Sequence, residues 1–544
     1  MSIIFLSMTH QPTDPIIQKK ICAISWNEFS IIQWDLDFYN KISPTFAGQK
    51  FQIPAPTLSP DERQRRRLAF RNERHLYTRY CDASKKPIIS IYSPDKPYKV
   101  YDQKIRWSDS WDALDYGRAF DFGKTFTEQF GELMREVPMA PLTNEFTKQE
   151  NCGYINSSWP WKNSYLSYEF AFCEDILYSK SIFYSDTSMD CAYGTKLSSC
   201  YECVDCDRCF SCKYSQYCED CSFCSWCYNC KNCQFCINCD WLENASYCIE
   251  NKQYPSKEVF EAAAKEYVYK QRTVKKLNDW KVHSNENVFA VKNVVNAKNV
   301  SHSFGWFWLE NVKYAWDVFD TKDSYDYFSW WENVSLCYEM QEAWRNVTKS
   351  AFVYLCRDNI ESLYYSFYCT QSSHLFWCIG LRNKQYCIFN KQYTKEEYEK
   401  TVAKIIIHMQ ETGERWEFFH PSLSPFGYNE TVAQEYYPLE RLDQSRSADA
   451  LQKAWYTRSD YEQPAPKVDK IIPWEKLPSH TCATIAEKNP TFLQDIVKYA
   501  IKCERSGKLF RLVPQEIAFY IKHNLPLPRL HPDQRHLDRM ALRA

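Results

Sequence analysis

From Cys152 onward the chain is ruled in threes. Seventeen cysteines between Cys152 and Cys248 share one phase of a three-residue repeat, and none falls outside it. The densest run is Cys200, Cys203, Cys206, Cys209, Cys212, then Ser215, then Cys218, Cys221, Cys224, Cys227, Cys230, Cys233, Cys236 and Cys239. The same phase extends back through Ser188, Ser185, Ile182, Ser179, Ile176 and Cys173. Every third residue is small or apolar, and the two between are mostly polar or aromatic. Side chains recur on one face about every 3.6 residues in a helix and every 2 in a strand, so neither element alone makes this pattern.

A second region keeps the ruler without the cysteines. Its rows read Val288, Val291, Val294, Ala297; Val300, Ser303, Trp306, Leu309; and Val312, Ala315, Val318, Thr321. Later rows are Val334, Cys337, Met340, Ala343; Val347, Ser350, Val353, Cys356; Ile360, Leu363, Ser366, Cys369; and Ser372, Leu375, Cys378, Leu381. Asn287, Asn299, Asn311, Asp323, Asn333, Asn346 and Asn359 precede the rows. A self-similar period of this kind predicts a solenoid, with four inward side chains per coil of about twelve residues. Asn or Asp suits a corner, because both tolerate left-handed backbone and can stack as an amide ladder. The spacing resembles the tight insect antifreeze β-helix. That resemblance concerns architecture over 152–248 and 288–387, and the ice-binding Thr-Cys-Thr face is absent.

Both regions end alike. Tyr247-Cys248-Ile249-Glu250-Asn251-Lys252-Gln253-Tyr254 matches Tyr386-Cys387-Ile388-Phe389-Asn390-Lys391-Gln392-Tyr393. Each is followed by a helical pattern, with Ser256 and Thr394 as N-cap candidates. These helices are expected to cover a solenoid end or flank, since open coil ends invite edge pairing.

The two ends of the chain also repeat each other. Cys22, Ser25, Phe29, Phe38, Tyr39 and Lys41 match Cys503, Ser506, Phe510, Phe519, Tyr520 and Lys522 at constant offset. After a nine-residue insertion, Pro54, Pro56, Leu58, Pro60, Asp61 and Arg63 match Pro526, Pro528, Leu530, Pro532, Asp533 and Arg535. With the Asn-Lys-Gln-Tyr endings and the 424–439 segment, these repeats resemble a large uncharacterised family of zinc-ribbon-like, cysteine-rich proteins from ultrasmall bacteria. The family's terminal Cys-x-x-Cys pairs are here Cys22/Ser25, Cys81/Ser84 and Cys503/Ser506. The next ligand positions hold Ser59 with Glu62, and His531 with Gln534. A tetrahedral zinc site takes four sulfur or nitrogen ligands, so the resemblance implies ribbon shape with the metal lost. It implies no activity.

Composition narrows the picture. The net charge of −1 over 544 residues gives no global pull toward nucleic acid or anionic membrane. At 17% aromatic, the chain is no disordered tract. No segment reads as a secretory signal or a membrane span, so the expected compartment is the cytoplasm, where thiols stay reduced. The thirteen cysteines Cys200–Cys239 then have three readings. They pack as small core residues, they form disulfides between coils, or they bind zinc or copper(I) as thiolates. That run holds no glycine and no proline, which fits a coil wall better than a string of zinc knuckles.

Two outward columns are aromatic: Phe304, Trp316, Phe328, Tyr338, Tyr364, Phe376 and Phe307, Phe319, Trp331, Tyr354, Phe367. Eleven bare rings would exceed the apolar patch a monomer exposes. The cover is either the rest of the chain or a partner: a second subunit, another protein or a flat ligand. One basic run, Arg63, Arg65, Arg66, Arg67, Arg71 and Arg74, is read as a solvated helix face or an RNA contact; it has an echo at Arg535, Arg539 and Arg543. No P-loop, GxGxxG, GxSxG or HExxH occurs. Glu310, Asp317, Asp320, Asp323 and Asp326 form a loose acidic cluster.

The expected fold is mainly β: a tight β-solenoid in two parts, with helical insertions and α+β terminal modules resembling degenerate zinc ribbons. The divisions are 1–110 module, 111–151 connector, 152–254 solenoid I, 255–286 helical insertion, 287–393 solenoid II, 394–440 helix and cap, 441–481 linker and 482–544 half module. The expected role is a non-catalytic scaffold or binding protein, possible partners being itself, as a homo-oligomer, or another protein. The C-terminal half module is expected to dock beside Arg63–Arg74. Alternatives are a thiol-rich zinc, copper or redox buffer, and an RNA-contacting module. No cofactor is required, and no membrane contact is expected.

Overall fold

The computed structural model describes residues 14–543 apart from 145–148, 160, 196–200, 202–233, 238, 240–241, 267–281, 284–285, 290–293, 329–332, 415, 439–454, 465–467 and 469. The chain divides into two units, each drawn from two separate stretches. One combines 1–141 with 278–460, the other 142–277 with 461–544.

Both units are built on a β-solenoid, and between them its turns number about 12 over residues 156–388. In the second unit, Tyr168–Ala171 pairs in parallel with Lys180–Phe183, and that strand with Ala192–Thr195, each twelve residues on. In the first unit, Val295 pairs with Phe307 at the same spacing. The twelve-residue coil is not uniform, however. Val334, Val347 and Ile360 succeed one another at thirteen. The added residue sits at a corner, where Arg345 with Asn346 and Asp358 with Asn359 are consecutive left-handed residues.

Backbone conformation accounts for the period of three. The residue before each inward position has positive φ: Phe172, Asp175, Tyr178, Ser181, Tyr184, Thr187 and Asp190 in one solenoid, and Leu336, Glu339 and Glu342 among others in the second. A strand that bends through the left-handed region every third residue makes a four-sided coil with three residues per side. The conformation costs non-glycine residues about 1–2 kcal/mol each. Stacking between successive coils offsets part of that cost. Asn299 donates to Asn311 and Asn311 to Asp323, at 2.8 and 2.9 Å. Phe172 stacks on Tyr184 at 5.0 Å, and Phe352 on Tyr365 at 4.7 Å.

The inward serines and cysteines do more than fill a narrow core. Ser179 Oγ donates to the Leu177 carbonyl at 2.8 Å and accepts from the Cys191 N–H at 3.1 Å. Ser350 does the same with Thr348 and Leu363, at 2.9 and 3.1 Å. Cys173, Cys337 and Cys378 donate to the carbonyl two residues back. Such a side chain satisfies backbone groups that the sharp corners leave unpaired inside the coil. The core also admits larger residues than the cysteine ladder suggests: Met340, Leu363, Leu375 and Tyr327 are fully buried. Tyr327 fits because its hydroxyl reaches the Ala343 carbonyl at 2.9 Å.

Each solenoid closes on a hairpin. Ser246–Ile249 turns back into Lys252–Gln253, and Gln385–Ile388 into Lys391–Gln392. The helix Lys257–Glu266 lays Phe260 on Phe235 and Tyr247. The helix Lys395–Glu411, with Thr394 and Glu397 as a capping box, buries Tyr398 against Tyr386 and Phe46. Both cover a solenoid flank, as expected. The segment read as a linker over 441–481 contributes a strand, Ile471–Pro473, which pairs with Ala500–Lys502 inside the C-terminal module. The stretch read as a connector holds the helix Phe126–Glu136, whose Phe126 stacks on Trp377 at 3.8 Å.

Candidate functional site: two arginine clamps

The basic run is neither a solvated face nor an open nucleic-acid contact. It occupies the helix Pro60–Leu68 and the turn after it, and Arg63, Arg65, Arg66, Arg67 and Arg71 are all buried. Their partners are acids on the solenoid. Arg63 and Arg67 hold the two oxygens of Asp326 at 2.9 and 3.2 Å, and Asp326 is 0% exposed. Arg66 grips Glu339 with one nitrogen, at 3.0 and 2.7 Å, and Glu417 with the other, at 2.9 Å. Arg71 pairs with Glu342 and Glu73 and lies over the Phe328 ring at 4.4 Å. Arg65 bonds Tyr428 at 2.9 Å, and Arg74 meets Glu435 at 3.7 Å. Lys313, from the solenoid, reaches Asp35 of the module at 2.6 Å.

Asp326 and Glu339 occupy left-handed corner positions. The corner aims their carboxylates outward at the docked helix, because a side chain on a left-handed residue leaves the coil wall. Burial works against the charge on Arg63, and Asp326 together with Tyr39, Tyr338 and Glu339 more than reverses that. At Arg67 burial wins, helped by the nearby charges of Arg63 and Arg66, and its affinity for the proton falls.

The second unit carries the same device. On the helix Pro532–Arg543, Arg535 pairs with Asp190, and Arg539 meets its other oxygen at 2.8 Å. Arg535 lies over Tyr178 at 4.5 Å, as Arg63 lies over Tyr314 at 5.1 Å. In both solenoids the tyrosine precedes the aspartate by one twelve-residue coil on a left-handed corner. Glu516 stands where Asp35 does in the other repeat. It accepts from Tyr178 at 2.6 Å and Tyr520 at 2.7 Å. Burial pushes its carboxyl up, and Arg535 only partly restores it.

Arg535 and Arg539 bind Asp190 in one unit, and Arg63 and Arg67 bind Asp326 in the other. The echo at 535 and 539 was visible in the sequence. Asp190 was not read as a partner, and Asp326 was read only as part of an acidic cluster.

The described rings of the aromatic columns are covered by the chain itself. Phe38 stacks on Tyr325 at 3.8 Å and edges Tyr338. Phe46 meets Tyr364 and Phe376, Phe70 meets Tyr354, and Phe419 meets Phe367. Trp316 meets Tyr436. These rings therefore form no open platform for a partner or a flat ligand. The side chains of Phe304, Phe307 and Phe319, and the whole of Trp331, lie outside the described residues.

Of the cysteine run, Cys200, Cys203, Cys206, Cys209, Cys212, Cys218, Cys221, Cys224, Cys227, Cys230 and Cys233 also lie outside them. Cys236 and Cys239 are described and buried. Among the described residues no group of three or more His, Cys, Asp or Glu could hold a metal ion. Burial pushes the coil thiols Cys173 and Cys337 up to about 12.

The hairpin thiols differ. Cys22, Cys81 and Cys503 each accept the N–H of the serine three residues on, at 3.5, 3.4 and 3.4 Å. Cys81 also accepts from Asp102 N–H at 3.1 Å, and Cys503 from His531 N–H at 3.2 Å. Burial raises these thiols, but the serine hydroxyls and backbone donors pull them below the ordinary value. The remaining ligand positions do not complete a zinc set: Glu62 pairs with Arg65, and Ser25 and Ser59 are hydroxyls. The chain matches no known protein family, no curated protein and no solved structure.

Proposed function

We propose that this protein is a non-catalytic scaffold that assembles through its terminal modules. The observation that supports this reading is the doubled clamp. Two modules related by sequence repeat grip two solenoids through the same residues, Arg63 and Arg67 on Asp326, and Arg535 and Arg539 on Asp190. Neither module is joined directly to the solenoid it grips, since each unit is drawn from separate stretches of chain. Recognition therefore resides in the interface. A module that leaves its own solenoid meets an identical surface on a second copy, which is the low-cost route to domain exchange. Within one chain the tether keeps the effective concentration of the module high, so exchange needs high protein concentration or transient opening.

The test uses full-length chains carrying two different tags. The tagged chains are mixed at rising concentration, and their mass is followed by light scattering. Mixed dimers or larger species that diminish in a variant carrying both Asp190→Asn and Asp326→Asn support the reading. A constant monomer mass with no mixed species at any concentration refutes it.

A further inference from the structure

Nine arginines of the described residues are buried: Arg63, Arg65, Arg66, Arg67, Arg71, Arg79, Arg106, Arg535 and Arg539. Eight of them have a carboxylate within 4 Å. Arg106 is the exception. It ends the short helix Gln103–Arg106, is 0% exposed, and its Nε and Nη1 meet no hydrogen-bond acceptor. Its guanidinium lies between the rings of Trp107 and Trp111, at 5.1 and 4.7 Å. Those ring faces offset only part of the cost of burying a charge.

The surroundings add positive charge. Arg357 lies over the Trp107 ring at 4.3 Å, and Arg382 holds the carbonyls of Trp107 and Ser108 at 2.8 and 2.7 Å. Burial and the Arg382 charge pull the Arg106 guanidinium down to about 10, which leaves it charged at neutral pH. Two phenols join it. Tyr368 and Tyr92 face each other within electrostatic reach of Arg106, and both are buried. The two hydroxyls meet each other and no further partner. Two guanidinium nitrogens with unmet N–H donors thus lie beside a phenol pair in the interior of one unit.

We propose that Arg106, with the hydroxyls of Tyr92 and Tyr368, binds a small monovalent anion of the halide type. A cluster of N–H and O–H donors around one uncompensated guanidinium calls for an acceptor carrying one negative charge. A weakly hydrated halide loses little on entering so apolar a setting and accepts from any direction. A doubly charged oxyanion would be harder to dehydrate and would leave net negative charge buried in an apolar setting. Arg357 and Arg382 strengthen the positive potential at the site without needing to touch the ion. This inference is independent of the scaffold reading.

Bromide is the probe. Thermal unfolding of the full-length protein is compared in sodium bromide and sodium gluconate at equal ionic strength. At ten times its dissociation constant, bromide raises the folded-to-unfolded ratio of this unit about tenfold. Stabilisation by the more weakly hydrated salt runs against the general salt effect, so it reports a site. Arg106→Met abolishes the difference, and Tyr368→Phe reduces it. Bromide-soaked crystals of the unaltered protein show an anomalous peak beside Arg106. Equal unfolding in the two salts, a bromide difference that survives Arg106→Met, or crystals without a peak at Arg106 each overturn the proposal. Where Arg106→Met does not fold, Tyr368→Phe and the anomalous map decide it.

Discussion

Replacing Asp326 by Asn leaves two buried guanidiniums without their counter-charge. Arg63 and Arg67 are 1% and 2% exposed and contact its oxygens at 2.9 and 3.2 Å. At an effective dielectric of about 20 and a separation near 3 Å, each pair is worth roughly 5 kcal/mol of gross attraction. Desolvation of all three groups already opposes this in the native state, so the net loss is smaller. Breaking a buried ion pair by removing one partner costs about 3–5 kcal/mol. Domains have only about 5–15 kcal/mol in hand, so the variant should sit near the edge of stability. With a urea slope of about 2–3 kcal/mol/M, the midpoint of this unit falls by about 1–2 M. A triple variant, Asp326→Leu with Arg63→Met and Arg67→Met, removes all three charges together and should recover most of the loss. Equilibrium urea unfolding of the three proteins, followed by tryptophan fluorescence, reads both effects. A loss below about 1 kcal/mol in Asp326→Asn refutes the claim that the substitution leaves buried charge uncompensated, and so does a triple variant no better than the single one.

Ser350→Ala should cost about 1–3 kcal/mol, because the Leu363 N–H and the Thr348 carbonyl both lose their partner; Ser350→Cys should restore part of it, measured by the same unfolding assay. Lys349 is exposed and left-handed, with φ of 49°. Lys349→Asn should therefore stabilise by about 0.5–1 kcal/mol, its exposed pair with Glu361 counting for little. Burial pushes the Glu417 carboxyl up, but Arg66 and Thr57 hold it below its ordinary value of 4.5. Its contribution is fully present above pH 4.5 and is lost as pH falls through the lower folded value. Glu417→Gln should flatten the fall in unfolding midpoint between pH 5 and 3, and an unchanged slope would count against that role. Removing the hydroxyl donor in Ser506→Ala, which keeps the backbone N–H, should move the pH profile of Cys503 alkylation upward, read by peptide mass spectrometry.

The coil architecture was legible in the sequence because the inward side chains of a solenoid lie on a fixed ruler. Even the thirteen-residue coils were there, in the spacing of Val334, Val347 and Ile360. The conformation behind the ruler was not. A period of three says that the chain bends, but which residue of each triplet turns left-handed depends on backbone geometry. Residues as unsuited as Phe172, Tyr184 and Leu336 adopt it here. The clamps were half legible. The arginine repeat at 63 and 67, and at 535 and 539, was plain, yet a run of arginines looks the same whether solvent or a carboxylate faces it. What buries Arg66 is Glu339, 273 residues away. No local pattern carries that information. The role of the inward serines as hydrogen-bond bridges was hidden for the opposite reason: small size alone is enough to account for them.

The interleaving of modules and solenoids has a consequence for synthesis. A ribosome delivers residues in order, and neither unit is drawn from one continuous stretch. Arg66 emerges 273 residues ahead of Glu339, and Asp190 precedes Arg535 by 345. At about 5–20 residues per second these gaps last roughly 15–70 s. Through that interval the nascent chain presents arginines without their acids and a finished coil stack without its lid. Cotranslational folding of either unit is thus a waiting problem. The growing chain is exposed to neighbouring chains on the same messenger while its own partner segment is still unmade.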